Sequence, residues 1–169
     1  LVIAYALLGS TWLVMKTEGK LQARMRELGR PVMLAVLVSI VVVSIWTPLA
    51  HPDIAARWFV LPNLIYFAPV PLLVALASWL LVKSLASRSD AAPFVLSLAL
   101  LFLGYSGLAI SLWPNIIPPS ISIWDAAAPP QSMGFILVGA LFIIPFILAN
   151  TAWSYNGFRG KVKAGEGYH

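Results

Sequence analysis

Five apolar segments of this chain, Leu1–Met15, Pro31–Ala50, Phe59–Val82, Ala91–Trp113 and Ser132–Tyr155, contain no Asp, Glu, Lys, Arg or His. The last four approach the roughly 20 residues that cross a hydrocarbon core about 30 Å thick. In lipid, every backbone N–H and C=O must be satisfied within the segment itself, which imposes helix. Only 10% of the 169 residues are charged, against about 25% in a soluble domain, so the chain cannot cover a globule with a solvated surface. The expected fold class is therefore all-α, a polytopic membrane helix bundle with about five transmembrane helices. Leu1–Met15 has no basic stretch before it and no small-residue cleavage site after it, so it reads as the end of a truncated helix rather than a signal peptide. The chain is expected to be the C-terminal part of a longer protein.

The basic residues set an orientation. Lys16, Lys20, Arg24, Arg26 and Arg30 follow the first segment, and Arg57 alone follows the second. Lys83 and Arg88 follow the third, none lies between Pro114 and Gln131, and Arg159, Lys161 and Lys163 follow the fifth. By the positive-inside rule the first and third loops and the C-terminus face the cytoplasm, and residues 114–131 face outward. The expected divisions are a helix end at 1–15, a cytoplasmic amphipathic loop at 16–30, a four-helix transmembrane bundle at 31–157 and a cytoplasmic tail at 158–169.

Within the first loop, Leu21, Met25 and Leu28 recur at helical spacing, so an interfacial helix is expected there. Gly29 is placed to end it and Pro31 to begin the next helix. Lys16, Lys20, Arg24, Arg26 and Arg30 form a set of interfacial charges available to water or anionic headgroups. Trp46, Trp58, Trp79, Trp113, Trp124 and Trp153 fall near span ends, as interfacial anchors do. Pro69 and Pro71 are expected to kink the third helix and Pro145 the fifth. Ser97, Gly104, Gly107 and Ser111 form a small-residue stripe suited to a close helix–helix contact. No repeat of fixed period stands out.

The spans lack the chemistry of a proton relay or of a charged-substrate path, which uses ionisable residues inside the membrane. Cysteine is absent, which removes disulfides, thiolate metal sites and cysteine nucleophiles. Haem iron takes His, Met, Cys or Tyr as axial ligand. His51 precedes Pro52 and Asp53 and reads as part of a capped turn, His169 is the last residue, and Met15, Met25, Met33 and Met133 read as packing residues near span ends. There is no phosphate loop, triad spacing or paired carboxylate. No catalytic, cofactor-binding or metal-binding residue is assigned. The +5 net charge sits in short loops beside apolar runs, and no basic and aromatic groove pattern points to nucleic acid.

The loop from Pro114 to Gln131 is different in kind. It holds Pro114, Pro118, Pro119, Pro129 and Pro130 with no Lys or Arg. Proline fixes φ, so such a loop can be stiff. Ile116, Ile117, Ile121, Ile123 and Trp124 give it an apolar surface that should pack on something. Trp113, Ile116, Ile117, Trp124 and Asp125 are the candidate partner-interface residues, with Asp125 itself read as a turn or N-cap residue.

Residues 5–13, Tyr-Ala-Leu-Leu-Gly-Ser-Thr-Trp-Leu, followed by Lys16-Thr17-Glu18-Gly19, resemble a signature of subunit II of the cytochrome bd-type quinol oxidases. Tyr105-Ser106-Gly107-Leu108, Trp113 through Pro118, and Ile123-Trp124-Asp125-Ala126-Ala127-Ala128 are similar to that family's penultimate helix and external loop. Ala152 through Tyr155, Phe158 through Val162 and Gly165 through His169 are similar to its C-terminus. The wording lies nearest the cyanide-insensitive branch. The resemblance implies an eight-helix subunit made of two four-helix bundles, of which this chain is the end of helix four and all of helices five to eight. It implies a bacterial inner-membrane complex that oxidises quinol and reduces dioxygen to water. It also implies that haem b and haem d lie in the partner, subunit I, and that a small accessory subunit and membrane lipids are further partners. Subunit II ligates no haem and supports subunit I. A secondary transporter or permease-like bundle is the alternative.

Overall fold

The computed structural model describes residues 1–61, 63–158 and 160–161. In chain order these form α1 (Val2–Lys16), α2 (Gly19–Ala50), α3 (Pro52–Trp58), α4 (Asn63–Phe67), α5 (Pro69–Ala86), α6 (Ala92–Leu112), β1 (Asn115–Ile117), β2 (Ile121–Ser122) and α7 (Pro130–Gly157). Helices α2, α5, α6 and α7 are long and apolar enough to cross a membrane, and α1 is a shorter apolar helix. The chain is an all-α, multi-pass membrane protein apart from one small hairpin.

Three expectations from the sequence need correction. The stretch 59–82 is not one helix, because α3, α4 and α5 divide it. Pro69 and Pro71 kink nothing. They lie in the first turn of α5, where a missing N–H would have had no partner. The break expected at Gly29 and Pro31 is also absent, since α2 runs unbroken for 32 residues through both. Tertiary packing overrides the local signals there. Gly29 is buried, with Leu85 of α5 and Ser10 of α1 against it. Pro31 is carried inside α2, where it removes one backbone donor, and it is exposed. The chain reverses earlier, at Thr17 and Glu18. There Gly19 takes φ +70°, a conformation that favours glycine.

The described residues form two compact units, residues 1–111 with Lys161, and Leu112–Gly160. In the first, α1, α2, α5 and α6 share a core of Leu7, Met33, Val36, Leu81, Leu85 and Leu100. Lipid is as apolar as these side chains, so close packing holds such helices together more than exclusion from solvent does. The small-residue stripe of α6 serves this. A Cβ on Gly104 would lie 3.8 Å from Ile40 Cδ1, and one on Gly107 3.5 Å from Val70 Cγ1. Ser97 is buried and donates its hydroxyl to the Pro93 carbonyl at 2.8 Å, so its polarity is answered within its own helix. In the second unit, α7 carries Pro145 inside it and buries none of its described side chains.

Candidate functional site

Two groups of polar and aromatic residues stand apart from the apolar packing, one in each unit. The first gathers where α1 turns into α2 and α5 into α6. Arg26 projects from α2 and is mostly enclosed. Its Nη1 donates to the carbonyls of Ser84 (3.3 Å) and Ser87 (3.0 Å), and its Nη2 to the Ser89 carbonyl and to Asp90 Oδ1, both at 2.8 Å. A guanidinium is planar and carries five donors, so it can close the C-terminal carbonyls of α5 and pair with a carboxylate together. A cation here also opposes the negative end of the α5 dipole. Gln22, one turn earlier on α2, donates to Asp90 Oδ1 at 2.9 Å and to the Val14 carbonyl of α1 at 2.8 Å. Lys161 donates to Asp90 Oδ2 and lies 3.9 Å from Glu18 Oε1.

Both carboxylate oxygens of Asp90 are thus engaged. The hydrogen bond from Lys161 does most to hold its carboxyl below the usual carboxylate range. Partial burial works the other way, and the charge of Lys161 with the bond and charge of Arg26 outweigh it.

The second group is the loop after α6. The rings of Trp113 and Trp124 meet edge to face, centroids 5.5 Å apart. β1 and β2 pair antiparallel, Asn115 opposite Ser122 and Ile117 opposite Ile121, with an irregular register between. The Ile123 N–H donates to the Pro114 carbonyl at 3.0 Å, and the Trp113–Pro114 and Pro118–Pro119 bonds are cis. Asp125 closes a turn. Its Oδ2 accepts from the Ser122 hydroxyl at 2.5 Å and from the Ser122 N–H at 3.3 Å. Those two bonds, the hydroxyl's first, hold the Asp125 carboxyl below its ordinary range. The loop is ordered by its own bonds. Even so, Trp113, Ile116, Ile117 and Trp124 each remain more than half exposed, at 58%, 54%, 55% and 63%.

The structure brings Trp113 and Trp124 into contact and sets Ile116, Ile117 and Asp125 on the same hairpin and turn. It divides the set of basic residues. Arg26 turns inward to the cluster, Lys16 lies over the Trp12 ring with 5.2 Å to its centroid, and Lys20, Arg24 and Arg30 are exposed on α2. Asp90 and Gln22 have no place in the sequence-derived sets, and Lys161 figures there only as a charge of the tail. The available signal was that Asp90 is the one acid between the third and fourth apolar segments. Arg159, Lys163 and His169 lie outside the described residues. His51 joins α2 to α3. Its N–H donates to the Thr47 carbonyl, and its own carbonyl accepts from Ile54 and Ala55. Among the described residues no group of three or more His, Cys, Asp or Glu is placed to hold a metal.

Residues 1–158 match the family model described as cytochrome bd terminal oxidase subunit II. Over 164 residues the chain is 23% identical to a Bacillus subtilis (strain 168) protein named cytochrome bd ubiquinol oxidase subunit 2, covering 94% of this chain and 47% of that protein. The chain spans about half the length of the curated relative it matches. These matches do not favour the permease reading.

Proposed function

This chain belongs to the family of subunit II of the cytochrome bd terminal oxidases, and from that premise we propose that it is the supporting subunit of a bacterial inner-membrane complex that oxidises quinol and reduces dioxygen to water. The observation that carries the reading is the family match over residues 1–158, on a chain whose apolar spans hold no ionisable residue. Such a subunit can pack against a partner and shape the surroundings of its cofactors without performing electron transfer itself.

Haem b and haem d belong, in this reading, to the larger subunit I. This reading assigns no haem ligand to this chain. His51 is placed by backbone bonding at a turn, and Met33 lies in the packed core of the helix bundle. The loop of residues 113–125 docks on subunit I at the outer face, through Trp113, Ile116, Ile117 and Trp124, with Asp125 fixing the turn beneath. Residues 16–30, 83–90 and the C-terminal tail face the cytoplasm. The meeting of Gln22, Arg26, Asp90 and Lys161 at one end of the first unit supports that side assignment. A small accessory subunit completes the assembly, and the enzyme falls on the cyanide-insensitive branch.

A reduced-minus-oxidised spectrum of material purified through a tag on the full-length protein tests the reading. Haem b and haem d signals are expected to co-purify through the partner, with quinol-dependent oxygen uptake that persists in cyanide. A haem-free preparation that instead moves a solute into proteoliposomes would overturn it.

A further inference from the structure

A short pattern occurs on both α1 and α5. Leu7 to Lys16 and Val74 to Lys83 correspond position by position, with Thr11-Trp12-Leu13-Val14-Met15-Lys16 matched by Ser78-Trp79-Leu80-Leu81-Val82-Lys83. The correspondence extends to the packing. Thr11 and Ser78 are both buried, and each donates its hydroxyl to the carbonyl four residues earlier, Leu7 at 2.8 Å and Val74 at 2.6 Å. Val14 and Leu81 are both fully buried. In each helix the closing lysine lies over the indole one turn back, with Nζ 5.2 Å from the Trp12 ring centroid and 3.7 Å from that of Trp79. Both helices lead into the same polar cluster, through the Val14 carbonyl bonded to Gln22 and the Ser84 carbonyl bonded to Arg26. The two Trp–Lys pairs therefore lie toward one end of the first unit.

We propose that Trp79–Lys83 is a seat for the phosphate of an anionic phospholipid in the leaflet at that end, and that Trp12–Lys16 is its partly covered counterpart. Side chains lean toward the N-terminus of their helix, so a lysine that ends a span leans back toward the membrane. Lys83 holds its ammonium over an indole, the side chain that settles at the lipid headgroup level. Leu72, Leu76, Trp79 and Lys83 fall at i, i+4, i+7 and i+11 on one exposed face of α5. That face has the order of a lipid: leucines for an acyl chain, an indole at the boundary, then a cation for the phosphate. On α1 the Trp12 ring is packed edge to face against Phe94, centroids 5.0 Å apart, so that seat is less open.

Among the described residues, no acid forms an ion pair with Lys83. Asp90 is engaged by Arg26 and Lys161, and Glu18 lies beside Lys161. Glu27 is exposed on α2 and forms no ion pair among the described residues. The acyl-chain face distinguishes a phospholipid from free phosphate, which would gain nothing from Leu72 and Leu76.

The full-length protein, with the subunits that co-purify, is delipidated in neutral detergent. It is then titrated with dioleoylphosphatidylglycerol or dioleoylphosphatidylcholine, and bound lipid is counted by native mass spectrometry. Wild type is expected to hold phosphatidylglycerol in preference to phosphatidylcholine. Lys83→Gln should weaken the anionic lipid about fivefold, the factor that corresponds to ~1 kcal/mol for one lysine at an anionic surface, and leave the zwitterionic lipid unchanged. Lys83→Arg should keep the preference. Lys83→Met supplies the same test if Lys83→Gln assembles poorly. The proposal is overturned if wild type shows no preference, or if both Lys83→Gln and Lys83→Met retain it.

Discussion

Arg26 on α2 and Asp90, just before α6, meet at 2.8 Å, while the same guanidinium closes three carbonyls at or beyond the end of α5. One side chain thus joins three helices at the end of the bundle. Removing it leaves carbonyls and a carboxylate short of donors, some of them part-buried. Arg26→Ala is expected to lower the stability of the full-length protein by about 2 kcal/mol, visible as a lower thermal unfolding midpoint in mild detergent. Lysine should not restore it, because a point charge cannot reach carbonyls and carboxylate together. An unchanged midpoint for the alanine variant would show that the network contributes nothing.

Asp90 gives the cluster a pH signature. Its folded pKa is depressed, so its contribution is present above the unfolded carboxylate value of about 3.9 and is lost as pH falls through the lower folded value. Asp90→Asn is expected to cost about 1 kcal/mol at neutral pH, held to that size by the partial exposure of the group. The gap between variant and wild type should close as pH is lowered below about 4. Thermal unfolding of both proteins across that range checks it. A gap independent of pH would mean that shape, not charge, is what Asp90 supplies.

Gly29 tests the packing of α1, α2 and α5. A Cβ there would meet Leu85 Cδ2 at 3.2 Å, the far end of a flexible side chain that can give way by a few tenths of an ångström. Gly29→Ala is expected to be close to neutral, because the helix gains roughly 0.5–1 kcal/mol from losing a glycine. Gly29→Leu has no such room and should cost about 2 kcal/mol. Comparing the two unfolding midpoints separates a tight contact from a loose one. Equal midpoints would place α5 farther from α2 than described.

The spans were legible in the sequence because lipid demands an unbroken apolar run, and Pro31–Ala50 and Ala91–Trp113 display one directly. The end of α2 was not legible. Gly29 and Pro31 carry ordinary stop and start signals, and only the contact of Gly29 with Leu85, far along the chain, overrides them. The Arg26–Asp90 pair was hidden for a similar reason. Nothing local to Arg26 marks it as different from Arg24 or Arg30, and its turn inward depends on where α5 ends. The aromatic loop was readable as stiff and apolar. The edge contact of Trp113 with Trp124 was not, because it needs the hairpin between them.

Orientation is open to chemical labelling. The positive-inside rule puts Ala23 in the cytoplasm and Ser120 outside. These 169 residues contain no cysteine to interfere. Cysteine at Ser120 should react with an impermeant thiol reagent added to intact cells, and cysteine at Ala23 only after the membrane is opened. The reverse pattern would invert the whole assignment.

Trp124 tests the docking of the external loop. It is 63% exposed and its edge contact with Trp113 is small, so truncation should leave the chain able to insert. If the loop seats on subunit I, Trp124→Ala should cost on the order of 2 kcal/mol of association. Less subunit I should then co-purify in mild detergent. Undiminished yield and quinol oxidase activity would remove the loop from the interface.

The unbroken course of α2 fixes a rotational phase. Its 32 residues make a rod about 48 Å long, of which about 30 Å fits the hydrocarbon and the rest stands beyond it. Gln22, Arg26, Gly29, Met33 and Val36 all lie on its inward side. One residue inserted near Pro31 would swing the outer part through about 100° relative to the inner part. Arg26 would then be carried off Asp90 while Met33 stayed in the core. The pairing of the loops is in this way indexed to the packing inside the membrane, like two cams cut on a single shaft.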